Sequence, residues 1–182
     1  MFAALFAAAI LQADPTVVLG LVERDLTGDG KPEILRLVGV GPIDNLSVTF
    51  TIEDGGKTVY QFELAPLTRT VGFDAGRHVI SAEEHRARVK EFGRWFFAEN
   101  KFQRPDEFVA RLGVEAPRRR AEIPDVIARD RQSSSTVDGS VIWQEIQKAP
   151  LTIFTFSPGG DALVAIGWHV RTGRFYRLLE CC

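Results

Sequence analysis

The feature that most constrains the fold of this chain is a change in hydrophobic periodicity, from strand-like to helix-like after Ser81 and back to strand-like from Leu151. Up to Ser81, short apolar runs alternate with turn signals. Alternating apolar residues are typical of half-buried strands, whereas apolar residues at spacings of three and four are typical of amphipathic helices. The sequence therefore predicts strands, then helices, then strands again.

The strands that this pattern predicts are short and are separated by turn residues. Those of the first third are 17–22, 34–40, 46–52 and 58–64, and those of the last third are 151–156, 162–170 and 175–179. Asp54-Gly55-Gly56 favours a tight hairpin turn, because glycine adopts the positive φ angles that such turns require. We therefore expect antiparallel strands in a meander, with the acidic segment near residue 30 as another hairpin connection.

The middle of the chain is predicted to be helical. Ser81-Ala-Glu-Glu84 is a capping box, which is typical of a helix start. The long helix that follows to about residue 100 places His85, Val89, Phe92 and Phe96 on one face. Shorter helices are predicted from Pro105 to Gly113, from Pro124 to Arg129 and from Val141 to Lys148, with a mobile polar loop at 132–139.

These elements predict the α+β class. The simplest arrangement is one antiparallel sheet formed from the N-terminal and C-terminal strands, with the helical middle segment packed on one face. The chain of 182 residues suits a single domain, which we expect to cover 14–182.

Residues 1–13 are uncharged and almost entirely apolar. They are too few to span a bilayer, which takes about 20 residues, and no transmembrane span is expected in the rest of the chain. The pattern predicts a secretory signal peptide with cleavage after Ala13, and hence export to the bacterial periplasm or the extracellular space. The alternative is an ordinary apolar N-terminal helix.

Cysteine content and net charge limit the class of partner. The two cysteines, Cys181 and Cys182, are adjacent and close no loop. They predict an oxidisable tail or, alternatively, a disulfide-linked dimer through either residue. A net charge of −2 gives no general electrostatic basis for binding nucleic acid or an anionic membrane.

The segment Asp25–Glu33 is the strongest functional signal. It is acidic, carries glycines, and places oxygen-bearing side chains at intervals that suit the inward-facing positions of a calcium loop. Gly30 directly follows Asp29, where such a loop turns sharply. The alternative is a simple hairpin turn, because Asp-Gly is itself a preferred turn sequence.

This segment resembles the calcium loops of FG-GAP (integrin-type) repeats and, more loosely, those of dockerins and EF-hands. The resemblance covers about nine residues. It implies that calcium is held by side-chain oxygens of Asp25, Thr27 and Asp29, the carbonyl oxygen of Lys31, and the carboxylate of Glu33 directly or through water. Hard oxygen donors in a flexible loop suit calcium better than magnesium or zinc.

No catalytic motif is recognisable elsewhere. His78, His85 and His169 lack metal-ligand spacing, and there is no nucleophile elbow. The aromatic cluster near the end of the long helix is predicted to belong to the core, with an apolar pocket as the alternative. Its members are Phe92, Trp95, Phe96, Phe97 and Phe102.

We therefore expect a binding or structural domain rather than an enzyme, with an envelope protein or a small ligand as partner. The alternative is a secreted hydrolase whose site is assembled from residues distant in sequence. A polar cleft that brings His169 or His85 close to carboxylates would favour the enzyme.

Overall fold

A computed structural model of the chain describes residues 15–71, 78–115, 117–130, 137–160 and 162–181. The strands are β1 (Thr16–Arg24), β2 (Glu33–Val40), β3 (Asn45–Asp54), β4 (Lys57–Thr68), β5 (Thr70–Val71), β6 (His78–Val79), β7 (Phe102–Gln103), β8 (Ile153–Phe156), β9 (Leu163–His169) and β10 (Arg174–Cys181). The helices are α1 (Ala82–Phe96), α2 (Pro105–Glu115), α3 (Pro117–Arg129) and α4 (Gly139–Lys148), with a 3₁₀ turn at Glu99–Lys101. The α+β class is confirmed.

The N-terminal strands form an antiparallel meander in the order β1-β2-β3-β4. In β3 the buried side chains alternate with more exposed ones, and Leu46, Val48, Phe50 and Ile52 face the core. The segment after β1 connects it to β2, and Asp54-Gly55-Gly56 connects β3 to β4. Both predicted hairpins are therefore present.

The C-terminal strands β8, β9 and β10 form a second four-stranded antiparallel sheet with the short β7, which comes from the segment predicted to be helical, in the order β10-β9-β8-β7. The prediction of one sheet from both ends of the chain is thus only partly right, because each end of the chain forms its own sheet. Strand β8 is buried at every position, Ile153–Phe156, since both faces of the second sheet are covered. Strands β5 and β6 make a small separate ladder.

Helix α1 begins as the capping box predicts, with the Ser81 hydroxyl accepting a hydrogen bond from the Glu84 N–H. It crosses β1 very closely. A Cβ on Gly93 would lie 1.9 Å from the Leu19 carbonyl oxygen, so only glycine fits there. The close crossing lets the buried face of α1 reach the core of the first sheet.

Two predicted helix boundaries were wrong. Helix α2 continues past Gly113 to Glu115, and α3 starts at Pro117 rather than Pro124. Proline is favoured in the first helical turn, and Pro117 meets that preference, whereas Pro124 lies inside the helix. The predicted mobile loop at 132–139 falls mainly outside the described residues.

Two hydrophobic clusters lie on opposite faces of the second sheet. The first is largely aromatic and joins both sheets with α1, and Phe50 is its centre. The Phe50 ring lies 5.2–6.1 Å from the rings of Tyr60, Phe96, Phe97, Phe154 and Phe156. The second cluster is mainly aliphatic and packs α2, α3 and α4 against the second sheet. This packing places the end of α4 beside the end of β9.

Candidate functional site

Glu33 is the structural centre of the acidic loop. Its side chain is buried although it is charged. One carboxylate oxygen accepts the Leu26 N–H at 2.6 Å and the Thr27 N–H at 3.3 Å. The other oxygen accepts the Thr27 hydroxyl at 2.8 Å. Burying a carboxylate is costly unless it is hydrogen-bonded, and here the loop's own donors meet that need.

Asp25 and Asp29 organise the exposed tip of the same loop. The two oxygens of Asp25 accept the N–H groups of Gly28 at 2.6 Å and of Gly30 at 3.0 Å. One oxygen of Asp29 accepts the Lys31 N–H at 2.8 Å. Gly30 has a φ of +84°, a conformation that glycine adopts without strain.

These contacts bring three carboxylates together. One oxygen each from Asp25, Asp29 and Glu33 lies within 4.8 Å of the others. A carboxylate offers about four acceptor positions, so the hydrogen bonds within the loop leave capacity for a cation. Three hard oxygen donors suit calcium, and they are the part of the predicted ligand set that the structure brings together.

The other two predicted ligands have defined contacts of a different kind. The Thr27 hydroxyl donates to Glu33, and the Lys31 N–H donates to Asp29. Both contacts support the positions of the carboxylates. That Thr27 and Lys31 also provide oxygens to a metal stays a prediction.

A second polar site lies where α4 meets the end of β9. The imidazole of His169 is buried and bridges two partners. Its Nε2 lies 2.6 Å from a Glu145 oxygen, and its Nδ1 lies 2.9 Å from the Thr172 hydroxyl oxygen. His169 therefore ties helix α4 to the β9–β10 turn through hydrogen bonds at both ring nitrogens.

This site borders a cleft of about 380 Å³. The lining residues are Glu145, Ile146, Lys148, Ala149, Trp168, His169, Val170 and Arg171. Arg171 contacts the second Glu145 oxygen at 3.1 Å. The hydrogen bond from His169, together with the positive charge of Arg171, holds the pKa of Glu145 below its usual range. Glu145 thus stays ionised while both of its oxygens are engaged.

The sequence could not show this cleft, because Glu145 and His169 are distant in the chain and lie on different elements. The sequence offered His169 as a residue that would favour an enzyme if carboxylates lay close to it, but no local pattern identified Glu145 as its partner. Thr172, which contacts His169, is not among the residues that line the cleft.

The other histidines and a buried ion pair have structural contacts. His85 is buried, and its Nε2 lies 2.7 Å from the Ile43 carbonyl oxygen, as expected for a packing residue. His78 is exposed on β6. The buried carboxylate of Asp130 accepts hydrogen bonds from the backbone N–H and the guanidinium of Arg177, which ties the end of α3 to β10. Sequence reasoning missed this pair.

The predicted aromatic cluster belongs mostly to the core. Phe96 and Phe97 are buried, while Phe92 and Phe102 pack against the same cluster. Trp95 is the exception, since it is 45% exposed, and the ammonium of Lys101 lies 4.0 Å from its ring centroid.

Comparison with protein-family models, with curated proteins and with solved structures gave no match to this chain. The resemblance of the acidic loop to FG-GAP repeats therefore remains local to that loop. No helix within the described ranges is long and apolar enough to cross a membrane. Cys182 and the side chain of Cys181 lie outside the described part of the chain, so the disulfide-linked dimer stays a prediction.

Proposed function

We propose that this protein is a non-enzymatic binding domain of the bacterial periplasm or extracellular space, with a calcium-stabilised hairpin between β1 and β2. The convergence of Asp25, Asp29 and Glu33, with one oxygen from each within 4.8 Å of the others, carries the proposal. Export is supported by the uncharged apolar segment 1–13. The partner is an envelope protein or a small ligand.

The charge of the loop explains what calcium would do there. Three carboxylates so close together repel one another, and a divalent cation converts that repulsion into attraction. With three carboxylates, the affinity belongs to the weak class of extracellular modules, with Kd of about 10⁻⁴ to 10⁻³ M. The role of the metal is to make the hairpin rigid.

Calorimetric titration of the mature chain with calcium tests this proposal, beside the variant Asp29→Asn. An asparagine oxygen can still accept the Lys31 N–H, so the turn is kept while a charge is removed. Asp54→Asn is the matched control, because Asp54 is an exposed carboxylate at the other hairpin.

Saturable calcium binding that is lost in Asp29→Asn and kept in Asp54→Asn is the expected result. The absence of binding at several millimolar calcium would mean that the loop is a hairpin turn and not a metal site. Equal loss in both variants would assign the signal to general surface charge.

A hydrolase is the second candidate, and the contacts of His169 with Thr172 and Glu145 favour it. In that reaction His169 takes the Thr172 hydroxyl proton as the Thr172 oxygen bonds to an ester carbonyl carbon. Glu145 stabilises the resulting imidazolium, which returns the proton to the departing alkoxide. Water then cleaves the acyl-threonine ester. The position of Thr172 outside the cleft lining ranks this candidate below the binding domain.

Hydrolysis of p-nitrophenyl acetate separates the two candidates. Thr172→Val removes the hydroxyl at nearly constant volume, and Thr152→Val, at a residue of similar burial, is the control. A hydrolase would lose its rate in Thr172→Val alone. Equal rates in all three proteins are expected for a binding domain.

A further inference from the structure

We propose that the cleft between α4 and the β9–β10 turn binds a small organic anion with an apolar or aromatic body. This inference rests on the proposed function as a binding domain and names its class of ligand. The cleft is about 380 Å³, large enough for a compact organic molecule. Ile146, Ala149 and Trp168 supply apolar lining, which suits the body of such a ligand.

The sign of the ligand's charge follows from which polar groups are already engaged. One oxygen of Glu145 contacts His169, and the other contacts Arg171. That carboxylate is therefore neutralised by groups of the protein itself. A cationic ligand would have to displace the Arg171 guanidinium to reach it.

The cations at the cleft retain free donors. Arg171 is 55% exposed and uses one terminal nitrogen for Glu145, which leaves other N–H groups of the guanidinium available. Lys148, in the last turn of α4, is exposed and also lines the cleft. With Glu145 as the one carboxylate in the lining, the two cations give the cleft a surplus of one positive charge.

The negative C-terminal end of the α4 dipole weakens the preference of the cleft for an anion but does not reverse it. The negative end of a helix dipole amounts to roughly half an elementary charge, and Lys148 lies in the last turn of α4, where it offsets that charge. Roughly half a positive charge therefore remains over the lining as a whole, and the guanidinium of Arg171 presents N–H groups that Glu145 does not use. A planar carboxylate matches the fork of donors that a guanidinium presents.

A titration followed by two-dimensional ¹H–¹⁵N NMR tests the inference. The probe is 4-phenylbutyrate, and 4-phenylbutylamine is the matched cation with the same apolar body. The variant is Arg171→Gln, and Arg86→Gln on the exposed surface of α1 is the control. We expect 4-phenylbutyrate to shift the Trp168 indole N–H and the amides of Glu145 and Arg171.

Loss of one charge-assisted contact weakens binding about tenfold, so this factor is expected in Arg171→Gln, with no change in Arg86→Gln. Stronger binding of the amine, no cleft shifts at several millimolar 4-phenylbutyrate, or equal binding by Arg171→Gln would overturn the inference. Adding calcium to the same samples reports separately on the loop through the amides of Gly28 and Gly30. The absence of anion binding at the cleft can therefore be distinguished from the absence of calcium binding at the loop.

Discussion

The acidic loop and the cleft beside α4 use carboxylates in the same way but end with opposite charge. In both regions donors of the protein itself engage the carboxylates, N–H and hydroxyl groups at the loop and His169 with Arg171 at the cleft. The loop donors carry no charge, so Asp25, Asp29 and Glu33 keep their negative charges, whereas Arg171 offsets the charge of Glu145. At the cleft, the surplus is positive. The hydrogen bonds of the carboxylates fix the geometry of each site, and the net charge that remains determines the sign of the ion that the site attracts.

The largest expected effect on stability comes from removing Glu33, whose hydrogen bonds organise the acidic loop. Glu33→Ala removes a buried carboxylate and leaves the buried Leu26 N–H without its partner. We expect the free energy of unfolding, measured by urea denaturation, to fall by about 3 kcal/mol.

The control for this variant is Glu63→Ala, at an exposed position of β4, which is expected to change stability by less than about 0.5 kcal/mol. Similar small effects in both variants would mean that Glu33 does not organise the loop. The metal proposal would then lose its structural basis.

His169 is the corresponding structural residue of the cleft. His169→Ala removes a buried ring that bridges Glu145 and Thr172. We expect a loss of about 2 kcal/mol, smaller than for Glu33 because the partners Glu145 and Thr172 are partly exposed and can turn to water. Thermal and urea denaturation measure it, with Gln144→Ala at an exposed position of α4 as the surface control. A loss no larger than that of the control would contradict the bridging role.

The two regions also differ in how far the sequence revealed them. The loop is continuous in the chain, so the spacing of Asp25, Asp29 and Glu33 predicted a cluster that the structure contains. The cleft joins α4 to β9, and its partners meet only through tertiary packing. Local patterns identify the residues of one loop or one face of an element, but they do not identify which elements pack together.

The same limit explains why the sequence predicted one sheet where the structure has two. Alternation in β3 and the turn at Asp54-Gly55-Gly56 predicted strands and hairpins correctly. Alternation does not specify strand partners beyond a hairpin, so one sheet and two sheets give the same pattern. Strand β8 is buried at every position, including Thr155, because it lies between the two hydrophobic clusters that cover the faces of the second sheet.

A pH titration of stability tests whether His169 and Arg171 hold the Glu145 carboxylate in its ionised form. The pKa of Glu145 is lowered, so the stability that its ionised form contributes is present above the unfolded pKa, near 4.5. That stability is lost as the pH falls through the lower pKa of the folded protein. The difference in unfolding free energy between wild type and Glu145→Gln should therefore shrink as the pH falls below about 4. A difference that does not change between pH 3 and 7, on the same approximate scale, would mean that Glu145 is not held ionised by His169 and Arg171.

The smallest expected effect separates the role of the acidic loop as a hairpin turn from its proposed role as a calcium site. Without calcium, Asp29→Asn removes one of three mutually repelling charges while an oxygen remains to accept the Lys31 N–H. Its stability should equal that of wild type or exceed it by a few tenths of a kcal/mol, about the size of an exposed charge interaction. With calcium at several millimolar, wild type should gain stability by mass action and the variant should not. Melting curves with calcium, with magnesium and with a chelator measure both effects. A variant less stable than wild type without calcium would show that Asp29 is needed for the turn itself, because loss of repulsion alone cannot destabilise the hairpin.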